Sequence, residues 1–346
     1  MKTPQKQRGV AIITVLLIVV IVTVLAVQMS GRLRLQIARV VSSDHAEQAF
    51  WHWMSAEALS RQVLLAELEN DDMRAHLGQN WATQQGPFPV RNGLIAGEIK
   101  DLHSCFNLNS VYNNEEDPAA FTVAVEQYQA LLDVLEFDQY TAERLTATLI
   151  DWLDADSQLH SALGAEDADY ESLPQPYQAA NTLLSHRSEL RQIMGYTQEV
   201  YERLRPFVCA IPANTRWQLN LNTVPEDRPE LVVAFFRGQM DITNAQNLIN
   251  ARPDDGFADV ETIQQQAEIQ NLVGDGQTLE GIPEVQALTV ESRYFELRAA
   301  IQYGDLEFYG VSQIHISSGD AYILHRSRGG YDPDERTTDN PTSSFQ

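Results

Sequence analysis

Residues 10–27 read VAIITVLLIVVIVTVLAV, a run without a single charge. As a helix rising about 1.5 Å per residue, it covers roughly 27 Å, close to the roughly 30 Å core of a bilayer. A helix apolar on every side needs either a large protein core or lipid around it. Lys2, Lys6 and Arg8 precede the run, and Arg32, Arg34 and Arg39 follow it. The basic counts on the two sides are therefore equal and do not set orientation by number. The cations lie closer on the N-terminal side, where the α-amino group adds another, which favours a cytoplasmic N-terminus. A cleaved secretory signal needs an Ala-x-Ala-like site, and Ser30–Gly31 offers only two small residues. A plain signal anchor satisfies the hydropathy.

Beyond the run, Ala46, Ala49, Phe50, Trp53, Ala56, Val63 and Leu64 recur at helical spacings, with Glu47, Glu57, Arg61 and Glu67 between them. No Gly or Pro lies between Gly31 and Gly78. The pattern predicts one continuous helix of about 60 residues that breaks up near Asn70–Asp72. Half of it belongs in lipid and half against a globular head. A separate amphipathic helix in a soluble domain is the competing reading.

Gly86–Pro89 marks a turn, and residues 94–109 (LIAGEIKDLHSCFNLN) alternate as one or two strands. From Glu115 to about Val285 the apolar spacing is mostly helical, with helices expected at 126–135, 142–153, 189–194, 199–204 and 230–236. Strand character returns at 294–303, 307–316 and 321–325, with turns at Gly304–Asp305 and Gly319–Asp320. These closing hairpins are too few for a domain of their own. They pair with the strands near 94–109 and pack on the long helix, giving an α+β class with a large α-helical insert. The expected boundaries are a head at 31–112 and 286–328, a first insert subdomain at 113–210, a second at 211–285, and a disordered tail at 329–346.

Cys105 and Cys209 are the only cysteines. In an exported chain an even pair suggests a bridge clamping head to insert. Two buried free thiols are the other reading. Acids outnumber Lys and Arg by 48 to 24, a formal charge of −24. That argues against nucleic acid and anionic membrane surfaces as general partners. Between Glu115 and Gln175 there are 15 acids and one Arg, densest in Asp151–Glu171 (DWLDADSQLHSALGAEDADYE). Such carboxylates repel unless solvated or neutralised, and a hard cation taking 6–8 oxygens neutralises them. An EF-hand is excluded, because Leu159 and Ala165 stand where Gly and Glu are needed. Zinc is disfavoured with no Cys and only His160 in the stretch. A solvated acidic loop needs no ion at all. Paired carboxylates also serve glycoside hydrolysis, but nothing in the sequence places a cleft between them.

Leu219–Val224, Ala245–Arg252 and Gly256–Val260 are similar to helix-hairpin-helix modules that grip phosphates. The hairpin at 238–243 has one Gly where the gripping form has two, and residues 220–290 carry 12 acids against three Arg. A phosphate groove in that field repels its ligand, so the module reads as a packing or partner surface. No phosphate loop, Gly-x-Ser-x-Gly elbow or His-Glu-x-x-His occurs.

Arg8–Gly9 directly before the apolar run resembles the prepilin leader of type IV pilins and type II secretion pseudopilins. The resemblance implies cleavage between Gly9 and Val10, removal of leader 1–9, and retention of the helix with residues 10–30 in the membrane. Most such proteins carry Glu at the fifth mature position, and here it is Thr14. That departure, the helical insert and the closing hairpins resemble the minor pseudopilin K family of type II secretion. The family implies a pilin-like α+β head with a SAM-like or helix-hairpin-helix-like insert. Asp151-Trp152-Leu153-Asp154 with Gly164-Ala165-Glu166-Asp167 looks like the family's calcium pattern. It makes Asp154, Asp156, Glu166, Asp167 and Asp169 ligand candidates for one or two calcium ions. The family further implies a non-enzymatic, methylated, single-pass inner-membrane protein with its bulk in the periplasm. It places the chain at a pseudopilus tip with minor pseudopilins of the I and J types and the major pseudopilin. Prepilin peptidase and the inner-membrane secretion platform are further partners, and no nucleic acid is. A minor pilin of a type IV pilus or DNA-uptake system, and a membrane-anchored periplasmic hydrolase, are the alternatives. Without the leader the charge becomes −27, since Lys2, Lys6 and Arg8 leave with it.

Overall fold

The computed structural model describes residues 10–83, 87–113, 117–273 and 278–329. The leader through Gly9 and the tail from residue 330 lie outside them. Helix α1 (Val10–Asn70) is continuous over 61 residues. The apolar side chains of residues 12–27 are exposed along its N-terminal part. Among the described residues it is the one helix long and apolar enough to cross a membrane. Thr14 bonds its own backbone, its hydroxyl donating to the Ala11 carbonyl at 2.9 Å.

Five antiparallel strands form the head sheet in the order β1-β2-β7-β8-β9. They are β1 (Phe88–Val90), β2 (Gly93–Asp101), β7 (Tyr294–Tyr303), β8 (Leu306–Ser317) and β9 (Asp320–Arg328). The hairpin between β1 and β2 turns at Arg91–Asn92, with Asn92 at φ 63°. The turn expected at Gly86–Pro89 is not the hairpin turn: Phe88 and Pro89 already belong to β1. The β8–β9 turn falls on Ser318 and Gly319, both at positive φ, one residue before the expected pair. Asp320 instead starts β9.

Helix α1 lies on one sheet face. Trp53, Leu64 and Leu68 bury against Phe295, Leu297, Ile301, Ile314 and Ile316. Each such side chain is worth roughly 1.5–3 kcal/mol of burial. Gly310 lets Trp53 lie flat on β8, because a Cβ there would overlap the indole. Glu57 is buried in this interface, and Arg326 of β9 forks onto both of its oxygens at 2.7 Å.

Two short parallel ladders join the head to the insert. They are β3 (Phe106–Asn107) with β4 (Val208–Cys209), and β5 (Leu219–Asn220) with β6 (Leu288–Thr289). Cys105 and Cys209 are joined by a disulfide beside the first ladder, with Cα atoms 5.8 Å apart. The insert holds α2 (Pro118–Val134), α3 (Gln139–Leu153), α4 (Asp167–Glu171), α5 (Gln198–Leu204), α6 (Glu230–Phe235), α7 (Ile242–Asn250), α8 (Val260–Gln264), α9 (Ala267–Gln270) and α10 (Pro283–Ala287). Side-chain caps start several of them: Asp117, Asp138, Thr197, Asp241 and Asp259 each accept a first-turn N–H.

The expected two insert subdomains share one hydrophobic core. The reason is that α2 of the first half packs on α6 of the second, with Trp217 edge-on to both Phe106 and Phe235. Phe106, Leu108 and Val111 belong to this core as well. The head therefore hands over to the insert near Asp101 and Tyr294, rather than at 112 and 286. Asn220 and Asn222, within the segment similar to phosphate-gripping modules, are spent on packing. Their amides bond Ala75, Val290 and Ser292, and Phe257, respectively.

Candidate metal centre

Helix α3 delivers the acidic stretch. Its last turn carries Asp151, and Asp154 caps its end, the Asp154 N–H donating to the Ile150 carbonyl. The chain then loops to Glu166, which precedes α4. Asp156 tightens the start of the loop by accepting from the Gln158 N–H at 2.7 Å.

The loop closes on Asp151, which is fully buried. One of its oxygens accepts from the His160 N–H at 2.7 Å and the other from the Ala165 N–H at 2.8 Å. Asp169 holds the far side. It accepts the Glu166 N–H at 3.0 Å, while its own N–H donates to the Glu166 carbonyl at 2.8 Å. Asp167 accepts the Ala179 N–H at 2.9 Å, tying down the chain that follows α4.

Three of the five candidates converge. Asp154, Asp156 and Glu166 each offer one oxygen, and these oxygens lie within 4.8 Å of one another. Oxygens on opposite sides of a calcium ion, each at 2.3–2.6 Å, stand about 5 Å apart, so the spacing fits. Asp167 and Asp169 lie outside the converging three, and each gives an oxygen to a backbone N–H, as Asp156 also does.

Burial makes the cluster demanding. Asp154 is 8% exposed and Glu166 5%, whereas Asp156 faces solvent. Among the described residues, one oxygen of Asp154 and both of Glu166 are buried with no hydrogen-bond partner. Burial, then repulsion from Asp156 and Asp151, pushes the Asp154 carboxyl up to about 6. Burial, then repulsion from Asp151 and Asp154, pushes Glu166 up to about 7. Burial also raises Asp151. Orphaned buried carboxylate oxygens in an all-oxygen set fit a hard cation, and they offer no soft ligand for zinc or copper. Calcium held there would replace mutual repulsion with attraction.

Trp152 and Tyr170 pack edge-on beneath the site, 5.2 Å between ring centroids. His160 turns its ring towards Phe121, 6.0 Å away between centroids. The sequence places Asp151 in the family's calcium pattern but not among the ligand candidates. Its spacing to Gly164 was the available signal, since a buried carboxylate serving two loop N–H groups needs a residue without a side chain over it.

A second polar cluster lies beside the disulfide, where the insert meets the outer face of the sheet. Glu296 is buried and accepts from Arg298 Nε at 2.8 Å. His186 of the insert stacks on His325 of β9, 6.0 Å between centroids. Burial alone would raise Glu296, but Arg298, Arg187 and His186 outweigh it and hold the carboxyl well below its usual range. Burial lowers His186 to about 4. This cluster carried no sequence signal.

Two family models described as type II secretion system protein K match residues 104–213 and 219–281. The chain is similar to the type II secretion system protein K of Aeromonas hydrophila, 36% identical over 88% of this chain and 92% of that one. The protein K of Pectobacterium carotovorum subsp. carotovorum is 34% identical over 94% of this chain and 98% of that one. Among solved structures, a chain in the crystal structure of the GspK–GspI–GspJ complex from the enterotoxigenic Escherichia coli type 2 secretion system superposes with a TM-score of 0.74. It is 32% identical and covers 85% of this chain and 100% of that chain.

Proposed function

The chain belongs to the type II secretion system protein K family of minor pseudopilins, and from that premise we propose that it caps the tip of a periplasmic pseudopilus. There it starts assembly together with the I-type and J-type minor pseudopilins. Helix α1 anchors it in the bacterial inner membrane, with the bulk of the chain in the periplasm, and the major pseudopilin adds below it. Its role is structural rather than catalytic.

One observation carries this reading: the insert leaves the head at the end farthest from the apolar segment. Tyr303, at one end of β7, packs on His45 and His52 of α1, on the membrane side of the head. The other end of β7 lies by Glu291, which bridges to Arg74 just past the end of α1. The insert emerges here, and Asn220 grips the Ala75 carbonyl. A filament that grows from the membrane pushes this end outward, and a bulky insert there obstructs any subunit above it.

The leader is removed by prepilin peptidase after Gly9, and the Val10 amine is methylated. Calcium bound by Asp154, Asp156 and Glu166 sets the loop of the insert, with Asp167 and Asp169 bracing the chain around it. The solved relative's complex with two other subunits supports the I-type and J-type partners.

The test is mass spectrometry of the chain extracted from membranes. A mature N-terminus at Val10 with one added methyl group is expected, together with copurification of the I-type and J-type subunits. A chain that keeps Met1, or that is cut after the apolar run, overturns the reading.

A further inference from the structure

We infer that Asp151 is a positioning residue for the bound cation: seated over Gly164, its buried carboxylate closes the loop so that Glu166 meets Asp154 and Asp156. The inference rests on the calcium reading above.

Asp151 does not belong to the three carboxylates whose oxygens converge. Its two oxygens instead reach 9 and 14 residues along the chain, to the N–H groups of His160 and Ala165. Ala165 immediately precedes Glu166, so the second bond fixes the backbone that carries the deepest ligand. Asp169 accepts the next N–H, that of Glu166 itself. Two successive backbone N–H groups leading into the Glu166 side chain are thus held by carboxylates that do not converge with it.

Gly164 makes this possible. A Cβ at that position would fall on the Asp151 carboxylate. Any side chain there therefore displaces the clamp while leaving every acid in place. An amide at 151 cannot replace the acid either, because its NH₂ would face one of the two N–H donors. A carboxylate in the last turn of a helix opposes the helix dipole, so the stability of α3 alone does not call for one here. A loop closed in advance spares the ion the ordering cost, and its loss lowers apparent affinity. Groups that orient metal ligands from behind typically change affinity 10–100-fold when removed.

The experiment titrates calcium calorimetrically into the full-length chain in detergent micelles, beside Asp151→Asn, Gly164→Ala and Asp154→Asn. The expected result is tight binding by the parent, affinity weaker by about 10–100-fold in Asp151→Asn and Gly164→Ala, and no binding by Asp154→Asn. Hydrogen exchange should show the His160 and Ala165 amides already protected in the calcium-free parent. If Asp151→Asn fails to fold, Gly164→Ala alone decides. Parent-like affinity in the variants that fold, with only their calcium-free melting temperature lowered, makes Asp151 a fold residue and overturns the inference. Amides protected only when calcium is present also overturn it, since the ion then closes the loop. A parent that binds no calcium sinks the metal reading itself, which is a separate failure.

Discussion

Glu296 and Glu166 are both carboxylates buried to about the same degree, at 4% and 5% exposure. The protein treats them in opposite ways. At the head–insert junction it supplies its own cations, Arg298 and Arg187, and Glu296 stays ionised well below the usual range. In the acidic loop the groups nearest Glu166 are more acids, and its carboxyl is driven up to about 7. Burying an ion costs several kcal/mol unless a partner of opposite charge offsets it. One site carries its partner in the chain; the other, on the calcium reading proposed above, takes it from solution. The junction is thereby independent of ions, while the loop can respond to them.

The largest effect should come from removing the internal partner. Arg298→Met strands Glu296 in the junction, and loss of one member of a buried pair typically costs about 3–5 kcal/mol. Urea unfolding of the full chain should show a midpoint lowered accordingly, equally with and without calcium. The double variant Glu296→Leu/Arg298→Met should recover most of the loss, because an apolar pair needs no counter-charge. A single variant as stable as the parent would show that the junction does not depend on its internal cation, and the contrast would collapse.

The external partner should matter somewhat less and only conditionally. At calcium one hundred times its dissociation constant, the parent gains about 2.7 kcal/mol. Asp154→Asn should lose that gain, and in chelator it should be more stable than the parent, because one of the repelling charges is gone. Thermal melts with calcium and with chelator measure both effects. A variant less stable than the parent in chelator would mean that Asp154 serves the fold rather than an ion.

These two sites were not equally legible in the sequence. Acid density along residues 151–171 points to the loop, because its candidate ligands are close neighbours in the chain. The junction joins His186, Glu296 and His325, brought together only by the fold, and no local pattern marks them. The same limit applies to the insert. Several of its helices were readable from apolar spacing, such as α3 and α5, whereas the helix expected at 189–194 is a 3-10 turn over Arg187–Gln192. That α2 packs on α6, merging two expected subdomains into one core, depends on contacts more than 100 residues apart, such as Gln127 Nε2 to the Phe235 carbonyl. The long helix and the β7–β9 hairpins were the easiest to read, because lipid-length apolarity and alternation are local signals. Within the loop, the family pattern offers Asp167 and Asp169 beside Glu166, and only the fold shows that Asp154, Asp156 and Glu166 are the three that converge.

The smallest effect separates the two sites by sign of pH dependence. Asp154 and Glu166 titrate higher in the folded chain than in the unfolded one, at about 6 and about 7. Between about pH 4 and 7 the folded state then holds more protons, so in chelator this site loses stability as pH rises. His186 titrates lower when folded, at about 4 against an ordinary 6.5. Between those values the unfolded state holds more protons, so this site loses stability as pH falls. Where the windows overlap the slopes oppose, and because two carboxylates stand against one imidazole, the parent's stability should fall gently as pH rises. Glu166→Gln removes one of the two carboxylates behind the first slope and should tilt the profile upward between pH 4 and 6.5 relative to the parent. His186→Asn keeps a good cap for the turn at Arg187 while removing the second slope, and should leave stability falling more steeply. Calcium should turn the parent's profile upward, since binding needs the carboxylates deprotonated. Melting temperatures at half-unit pH steps in chelator would show the two variants diverging in opposite directions. Parallel profiles would mean that both carboxylate sites meet protons alike, and that the difference between an internal and an external cation has no thermodynamic consequence.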